Sequence, residues 1–484
     1  MRRNALPAGL MAAALSLALA GCPGGRQAPR ATTATPSAAT AATAGNRLNV
    51  LLVTIDTLRA DHLGLYGYRR ATSPHLDALA QRATVFDQAY TYWPKTRGSF
   101  VAILTGRLAS QTGYSKGRQE LLDWNPTLAS TLKQAGYRTE ATVDNPNVAK
   151  ALGYAKGFDR YRETWLERTL PTEVDRMRAI TADGVSALRE AKPGQPFFLW
   201  LHYVNPHAPY QPPPPFDTAF LDTGAARGPV LGAVKDFHGG AHAPWAKAGK
   251  PLGWYVAQYD GEIATVDAQI GSLVDALSAS LVRDRTLLVV TSDHGESLGE
   301  HDYYFDHGED LFDPCVRIPL LIAGPGVKGG SRSNVLASTL DLVPTVLDAV
   351  KVSYPPDLAG LSLLPATRGE DRPQRPRLPG QNDRSLLGAW DQRYKIVATP
   401  QGDGARYALY DRQRDPGETR DASRSEPDRF RQERSELELF RDRFDAQMAK
   451  ALRLLQGLPE PAKLDAPSCE RLKSLGYALP AGCS

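Results

Sequence analysis

The chain has 484 residues, 57 Lys and Arg against 53 Asp and Glu, a formal net charge of +4, 42% hydrophobic residues and 4 cysteines. That length suits one large domain with an appendage or two ordinary domains, and the interspersed charges lack the concentrated basic face of a nucleic-acid binder, so no nucleic-acid partner is expected. The cysteines form no CxxC or Cys/His cluster, which excludes a structural zinc module and a disulfide scaffold.

Arg2 and Arg3 precede an apolar run over 5–20, followed by Leu19-Ala20-Gly21-Cys22. A charged start, a short apolar core and small residues make an export signal over 1–22, too short for a comfortable membrane span. The L-A-G-C ending resembles a bacterial lipobox, which implies lipidation at Cys22; an ordinary cleaved signal or an uncleaved anchor is the alternative. Pro23 rather than Asp follows, so the expected address is the envelope, at the outer membrane. Residues 23–45 are mostly Ala, Thr, Pro, Gly and Ser, which cannot bury apolar surface and read as a flexible tether.

Residues 48–55 form a continuous β-rich apolar run that ends at Asp56, and similar runs occupy 196–203, 286–293 and 318–322. Helical spacing covers 73–83, 126–135, 172–191, 253–280 and 339–350. Strands alternating with helices predict an α/β fold around a mostly parallel sheet, with chemistry beyond the carboxyl ends of strands. Asp56, His207 and Asp293-His294 all fall there. From about 370 the composition turns Arg-, Pro- and Gly-rich; a strand-like stretch 385–398, another at 406–410 and a charged helix around 426–455 follow. The expected division is a catalytic domain over 46–370 and a smaller C-terminal α+β subdomain over 371–484.

A carboxylate at the end of a buried strand is costly unless it is paired or bound to a cation, so Asp56 is a candidate ligand, with a helix cap or a salt bridge to Arg59 as the alternative. Asp293 and His294 repeat the situation and combine hard oxygen with borderline nitrogen. Two such strand ends in one sheet suggest a metal site.

Here the chain resembles the sulfatase-like branch of the alkaline phosphatase superfamily. The resemblance rests on V-T-I-D-T-L-R-A-D-H-L-G-L-Y-G at 53–67, L-T-G-R at 104–107, H-Y-V-N-P-H-A-P-Y at 202–210, Y-D-G-E-I-A-T-V-D at 259–267, S-D-H-G-E-S-L-G-E-H at 292–301 and L-K-S-L-G-Y at 472–477, in order along most of the chain. It implies an α/β/α sandwich, a metal at the strand ends and a nucleophile at a helix start. Family members carry a Cys or Ser, oxidised to formylglycine, ten positions before the final Gly of a C-x-P-S-R-x-S-x-x-T-G block. Counting back from Gly106 gives Thr96, with Gly98 in place of Pro, Ser99 on the family Ser and Phe100 in place of Arg. Threonine cannot become formylglycine, and a Thr here resembles the phosphodiesterases and phosphoethanolamine or phosphoglycerol transferases of the superfamily.

The metal set carried over is Asp56, Thr96, Asp293 and His294. Thr57 and His294 stand where calcium-dependent relatives place a second Asp and an Asn, which favours one zinc or manganese ion, with magnesium or calcium as alternatives. The resemblance assigns His207 and His307 to the transferring group, alongside Thr96. Ser99, Lys95 and Arg97 are candidate substrate contacts; the two basic residues could equally be solvated surface charges. Cys469 and Cys483 are close enough in sequence for a disulfide in an exported chain, which would leave Cys315 as a buried thiol; the alternative is that all three are reduced.

The expectation is therefore a lipid-anchored, metal-dependent hydrolase of sulfuric or phosphoric esters, acting on an anionic ester, an envelope glycan or lipid among the candidates. A phosphoethanolamine- or phosphoglycerol-type transferase and a degenerate surface binding protein that kept only the fold are the alternatives.

Overall fold

All seven residues of Asn49–Ile55 (β1) are buried, and the strand feeds two cores at once. Val50 and Leu52 enter one apolar cluster, and Leu51, Val53 and Ile55 enter another on the opposite side. Side chains alternate across a strand, so a run this apolar needs cover on both faces. The computed structural model describes residues 47–484 except 116, 223, 232–248, 371–374, 478, 480–482 and 484. The signal, the tether and Cys22 lie outside the described residues.

The other strands of the main sheet are β2 (Ala83–Phe86), β3 (Arg138–Val143), β4 (Arg160–Glu163), β5 (Phe197–Tyr203), β6 (Thr286–Ser292), β7 (Leu320–Ala323) and β8 (Ser331–Ser333). Their spatial order is β8-β2-β7-β6-β1-β5-β3-β4. β1 runs parallel to β5 and β6, and β7 is antiparallel to both its neighbours.

Helices cover both faces. α1 (Pro74–Ala80), α4 (Glu173–Glu190) and α5 (Leu252–Ala279) pack on the side of Leu51 and Val53, through residues such as Leu76, Ile180 and Ile263. α2 (Thr96–Thr105), α3 (Leu128–Gln134) and α6 (Leu342–Ala349) pack on the side of Val50 and Leu52, through Phe100, Leu132 and Val346. Burying each such large side chain contributes roughly 1.5–3 kcal/mol. The result is an α/β/α sandwich with a large, mostly parallel central sheet.

Beyond it lies an antiparallel sheet of β9 (Leu378–Gln381), β10 (Leu387–Trp390), β11 (Tyr394–Gln401) and β12 (Gly404–Asp411), in chain order. β9 falls in the Arg/Pro/Gly-rich stretch where no strand is expected. The expected single strand 385–398 is instead two, because Asp391 Oδ1 accepts from the amides of Arg393 (2.7 Å) and Tyr394 (2.6 Å) and closes a turn. α7 (Pro427–Leu455) lays Leu437 on Ile396 and Leu409 of this sheet. α8 (Ala466–Ser474), absent from the sequence reading, is capped by Asp465, whose carboxylate accepts from the Ser468 amide at 2.9 Å. Leu464, Cys469 and Leu472 join the main core rather than the C-terminal sheet. Cys469 and Cys483 are bonded, and Cys315 is a buried free thiol. Among the described residues, no helix is long and apolar enough to cross a membrane.

Candidate active site

The register of the two central strands makes the site. Ile55 on β1 pairs with Ser292 on β6, so the next residue of each strand is a carboxylate beside the other, and both Asp56 and Asp293 are fully buried. Thr57 then turns the chain away at φ +54°, and its amide donates to Asp293 Oδ1 at 3.4 Å, which also accepts from the His294 amide at 2.9 Å. Asp56 Oδ2 accepts from Asn145 Nδ2 at 2.6 Å. Asp56 Oδ1 and Asp293 Oδ2 have no donor. Burial first, and then neighbouring negative charge, push both carboxyls well above the usual range.

His294 completes the group. Its Nδ1 donates to the Gly295 carbonyl at 2.9 Å, and its Nε2 lies 3.6 Å from Asp56 Oδ1 and 3.4 Å from Asp293 Oδ2. Burial and then the neighbouring histidines lower the imidazole's pKa, so the ring is neutral. Ligand atoms of Asp56, Asp293 and His294 all lie within 4.8 Å of one another. Two carboxylate oxygens without donors and one imidazole nitrogen fit a divalent cation.

Thr96 is the first residue of α2, and its Oγ lies 3.2 Å from His294 Nε2 and 3.2 Å from the Tyr477 hydroxyl. The first amides of a helix have no partner within it, so the start of α2 presents donors and the positive end of the helix dipole. Gly98 has a local reason: a Cβ there would sit 2.4 Å from Trp93 Cγ. The indole lies against the first turn, and its Nε1 donates to Asp383 at 3.1 Å.

The other expected contacts separate. Ser99 is fully buried, its Oγ donating to the Asp293 carbonyl at 2.7 Å and lying 3.1 Å from Thr91 Oγ1, so it braces the carboxylate loop. Lys95 pairs with Asp383 at 3.5 Å, and Arg97 Nε donates to Asn147 at 2.9 Å. Both line a cavity of about 230 Å³ with Gln119, Asn147, Asp383 and Tyr477.

His207 and His307 face each other with ring centroids 5.2 Å apart, and His307 lies 4.1 Å from the His294 ring. Each is fixed through Nδ1: His207 on the Ala208 carbonyl at 2.6 Å, His307 on Glu296 Oε1 at 2.9 Å. Orienting an imidazole through one nitrogen sets the tautomer and aims the other. The loop that carries His207 hangs on Glu262, which accepts from Asn205 Nδ2 and from the Gln211 amide, both at 2.7 Å. Burial pushes the Glu262 carboxyl up to about 8.

Sequence reasoning missed Asn145, His202, Glu262, Glu296 and Tyr477. His202, the penultimate residue of β5, has Nε2 3.8 Å from Asp56 Oδ2, and burial pushes its pKa down to about 3, so it is a neutral wall of the site. Asn145 follows β3, and recognising that strand would have exposed it by the strand-end rule. Tyr477 comes from the expected C-terminal subdomain, far from Thr96 in sequence.

Residues 48–352 match the family described as Sulfatase, and residues 299–437 match N-sulphoglucosamine sulphohydrolase, C-terminal. The chain belongs to the sulfatase family. It is 23% identical over 423 residues to a Delta 4,5-hexuronate-2-O-sulfatase of Bacteroides thetaiotaomicron, covering 78% of this chain and 84% of that one. A solved structure in complex with its substrate D-glucosamine-2-N,6-O-disulfate is similar at TM-score 0.69 and 20% identity, over 83% of this chain and 98% of the other. The phosphonate monoester hydrolase of Agrobacterium radiobacter is similar at TM-score 0.68 and 20% identity, over 82% and 96%. This protein is thus a sulfatase-family hydrolase. The family uses a divalent metal ion, and Asp56, Asp293 and His294 form a candidate site for it.

Proposed function

We propose that this sulfatase-family hydrolase cleaves phosphate esters with Thr96 as its nucleophile. The observation that carries the reading is the Thr96 hydroxyl at the first residue of α2, 3.2 Å from His294 Nε2 in the group formed with Asp56 and Asp293. Threonine cannot supply the formylglycine of a typical sulfatase, and the solved phosphonate monoester hydrolase has a similar fold. A divalent cation held by Asp56, Asp293, His294 and Thr96 would supply the charge that lowers the hydroxyl's pKa. Two carboxylates, one imidazole and one hydroxyl favour zinc or manganese over calcium.

Thr96 Oγ loses its proton to solvent and attacks phosphorus in line: the Oγ–P bond forms as the bond to the leaving oxygen breaks, and water then breaks the Oγ–P bond, its oxygen going to phosphorus and a proton back to Thr96. The α2 amides stabilise the non-bridging oxygens, joined by His207 and His307 when doubly protonated, and His207 in that form passes its Nε2 proton to the leaving oxygen. Lys95 and Arg97 offer the anionic substrate charge from the adjoining cavity. The protein is proposed to act lipid-anchored through Cys22 at the outer membrane, on an anionic ester of an envelope glycan or lipid. The bonded Cys469–Cys483 pair supports an oxidising compartment.

The test is turnover of an aryl sulfate, an aryl phosphate monoester and a bis-aryl phosphate diester by the mature protein with zinc, manganese, magnesium or calcium, beside Thr96→Ala. Cleavage of a phosphate ester that the mutation abolishes is the expected result. Sulfate cleavage that survives Thr96→Ala overturns the nucleophile, and silence on all three with metal bound favours the degenerate binding protein.

A further inference from the structure

We infer that Tyr477, delivered by the C-terminal tail, is a catalytic residue that donates a hydrogen bond to Thr96 Oγ as that oxygen gains negative charge. The inference rests on the nucleophile reading above and deepens it.

The hydrogen bonds around Tyr477 have one consistent direction. Asn145 Nδ2 has two protons; it donates to Asp56 Oδ2 at 2.6 Å and to the Tyr477 hydroxyl at 3.4 Å, while its Oδ1 accepts from the Asn147 amide at 2.9 Å. The phenol oxygen therefore accepts on the Asn145 side, and its own proton is available to Thr96 Oγ at 3.2 Å. On the far side of Thr96, His294 carries its proton on Nδ1, bound to the Gly295 carbonyl, so its Nε2, 3.2 Å from the hydroxyl and aimed at the cation site, offers Thr96 no competing donor. The order runs Asn145 to Tyr477 to Thr96. A donor already aimed at the nucleophile needs no rearrangement when the hydroxyl loses its proton, and it serves again when Thr96 Oγ leaves as water resolves the ester.

The tail is fastened on both sides of this residue. Arg471 pairs with Asp144 at 3.0 Å, next to Asn145 in sequence, and with Glu173 at 2.7 Å. Ser468 Oγ accepts from Trp165 Nε1 at 2.9 Å. The Cys469–Cys483 bond closes a loop that contains Tyr477. The Tyr477 ring lies 4.8 Å from that of His207, so the phenol bridges the nucleophile and the histidine assigned to the transferring group.

The experiment compares wild type, Tyr477→Phe and Thr96→Ala as full-length, metal-loaded proteins. It measures kcat and KM on the ester that wild type cleaves, orthovanadate affinity by calorimetry, and Tm. Tyr477→Phe should lower kcat about 10²–10³-fold, the loss typical of one donor to a developing oxyanion, with little change in KM or Tm. It should also weaken orthovanadate binding, a readout that stands even where no ester is turned over. Reduction of the disulfide should lower wild-type kcat toward that of Tyr477→Phe and leave the variant unchanged. An inactive Thr96→Ala beside a Tyr477→Phe with wild-type kcat and vanadate affinity refutes the role of Tyr477 alone. A rise in kcat/KM for Tyr477→Phe would mean that the phenol blocks the nucleophile, and would also refute it. Full activity of Thr96→Ala refutes the nucleophile reading itself.

Discussion

Replacing Asp56 by Asn tests whether the buried carboxylate pair is built for a cation. Asp56 and Asp293 are both fully buried, and each has one oxygen without a donor. Leaving a buried charge uncompensated costs about 3–5 kcal/mol. Burial raises both carboxyls, and that sets the sign with pH. A group whose pKa is higher folded than unfolded contributes its stability below the unfolded value, near 4 for Asp, and loses it as pH rises through the folded value. Metal-free wild type therefore carries more of the penalty at pH 7.5 than at pH 5, and Asp56→Asn removes much of it. With an unfolding entropy of roughly 2.1 cal/mol/K per residue, a unit of this size converts 3–5 kcal/mol into a Tm about 3–5 °C higher for the chelated variant. Metal acts in the opposite order: at about 1,000 times its Kd it adds about 4 kcal/mol to wild type and little to Asp56→Asn. Scanning calorimetry of chelated and zinc- or manganese-loaded protein at pH 5 and 7.5 measures both effects. If chelated Asp56→Asn melts below wild type and metal raises both equally, the cation-site reasoning is wrong.

Thr96→Ala should cost at least about 10³-fold in kcat/KM on a phosphate ester, whereas Ser99→Ala, which loosens only the brace on the Asp293 carbonyl, should cost far less; steady-state kinetics separates them. Gly98→Ala drives a methyl group into the Trp93 ring, and overpacking of this kind costs typically 1–3 kcal/mol, so a lowered Tm with reduced kcat is expected. Glu262, raised to about 8, contributes its stability below the unfolded value near 4.3 and loses it as pH climbs through 8. Thermal melts from pH 5 to 9 should therefore be flatter in Glu262→Gln than in wild type.

The central strands were legible because they are buried on both faces and read as unbroken apolar runs. Edge and near-edge strands were not. β3 begins Arg138-Thr139-Glu140 and is mostly buried, while β4 is Arg160-Tyr161-Arg162-Glu163 with no buried residue; neither carries an apolar run, so neither departs from loop composition. The same limit shaped the site reading. Asp56, Asp293 and His294 end recognisable strands and were found, while Asn145 follows β3 and was lost with it. Thr96 was reached through family spacing rather than through any local signal. Tyr477 could not be read from periodicity at all, since its place depends on the Arg471 pairs and the disulfide, which are contacts between distant parts of the chain.

Because Ile55 and Ser292 are register partners, main-chain bonding alone brings Asp56 and Asp293 together. Frame and filling are separable here: the residues that follow, Thr57 and His294, can change without breaking a single ladder hydrogen bond. Thr57 holds φ +54°, a conformation that Asp or Asn accepts more readily than a β-branched residue, and its hydroxyl is buried with no partner. One more oxygen ligand at 57 and one imidazole fewer at 294 would exchange a mixed oxygen and nitrogen set for an all-oxygen one, the kind that hard cations take. Divergence of metal choice on this scaffold then needs two side-chain changes and no new fold.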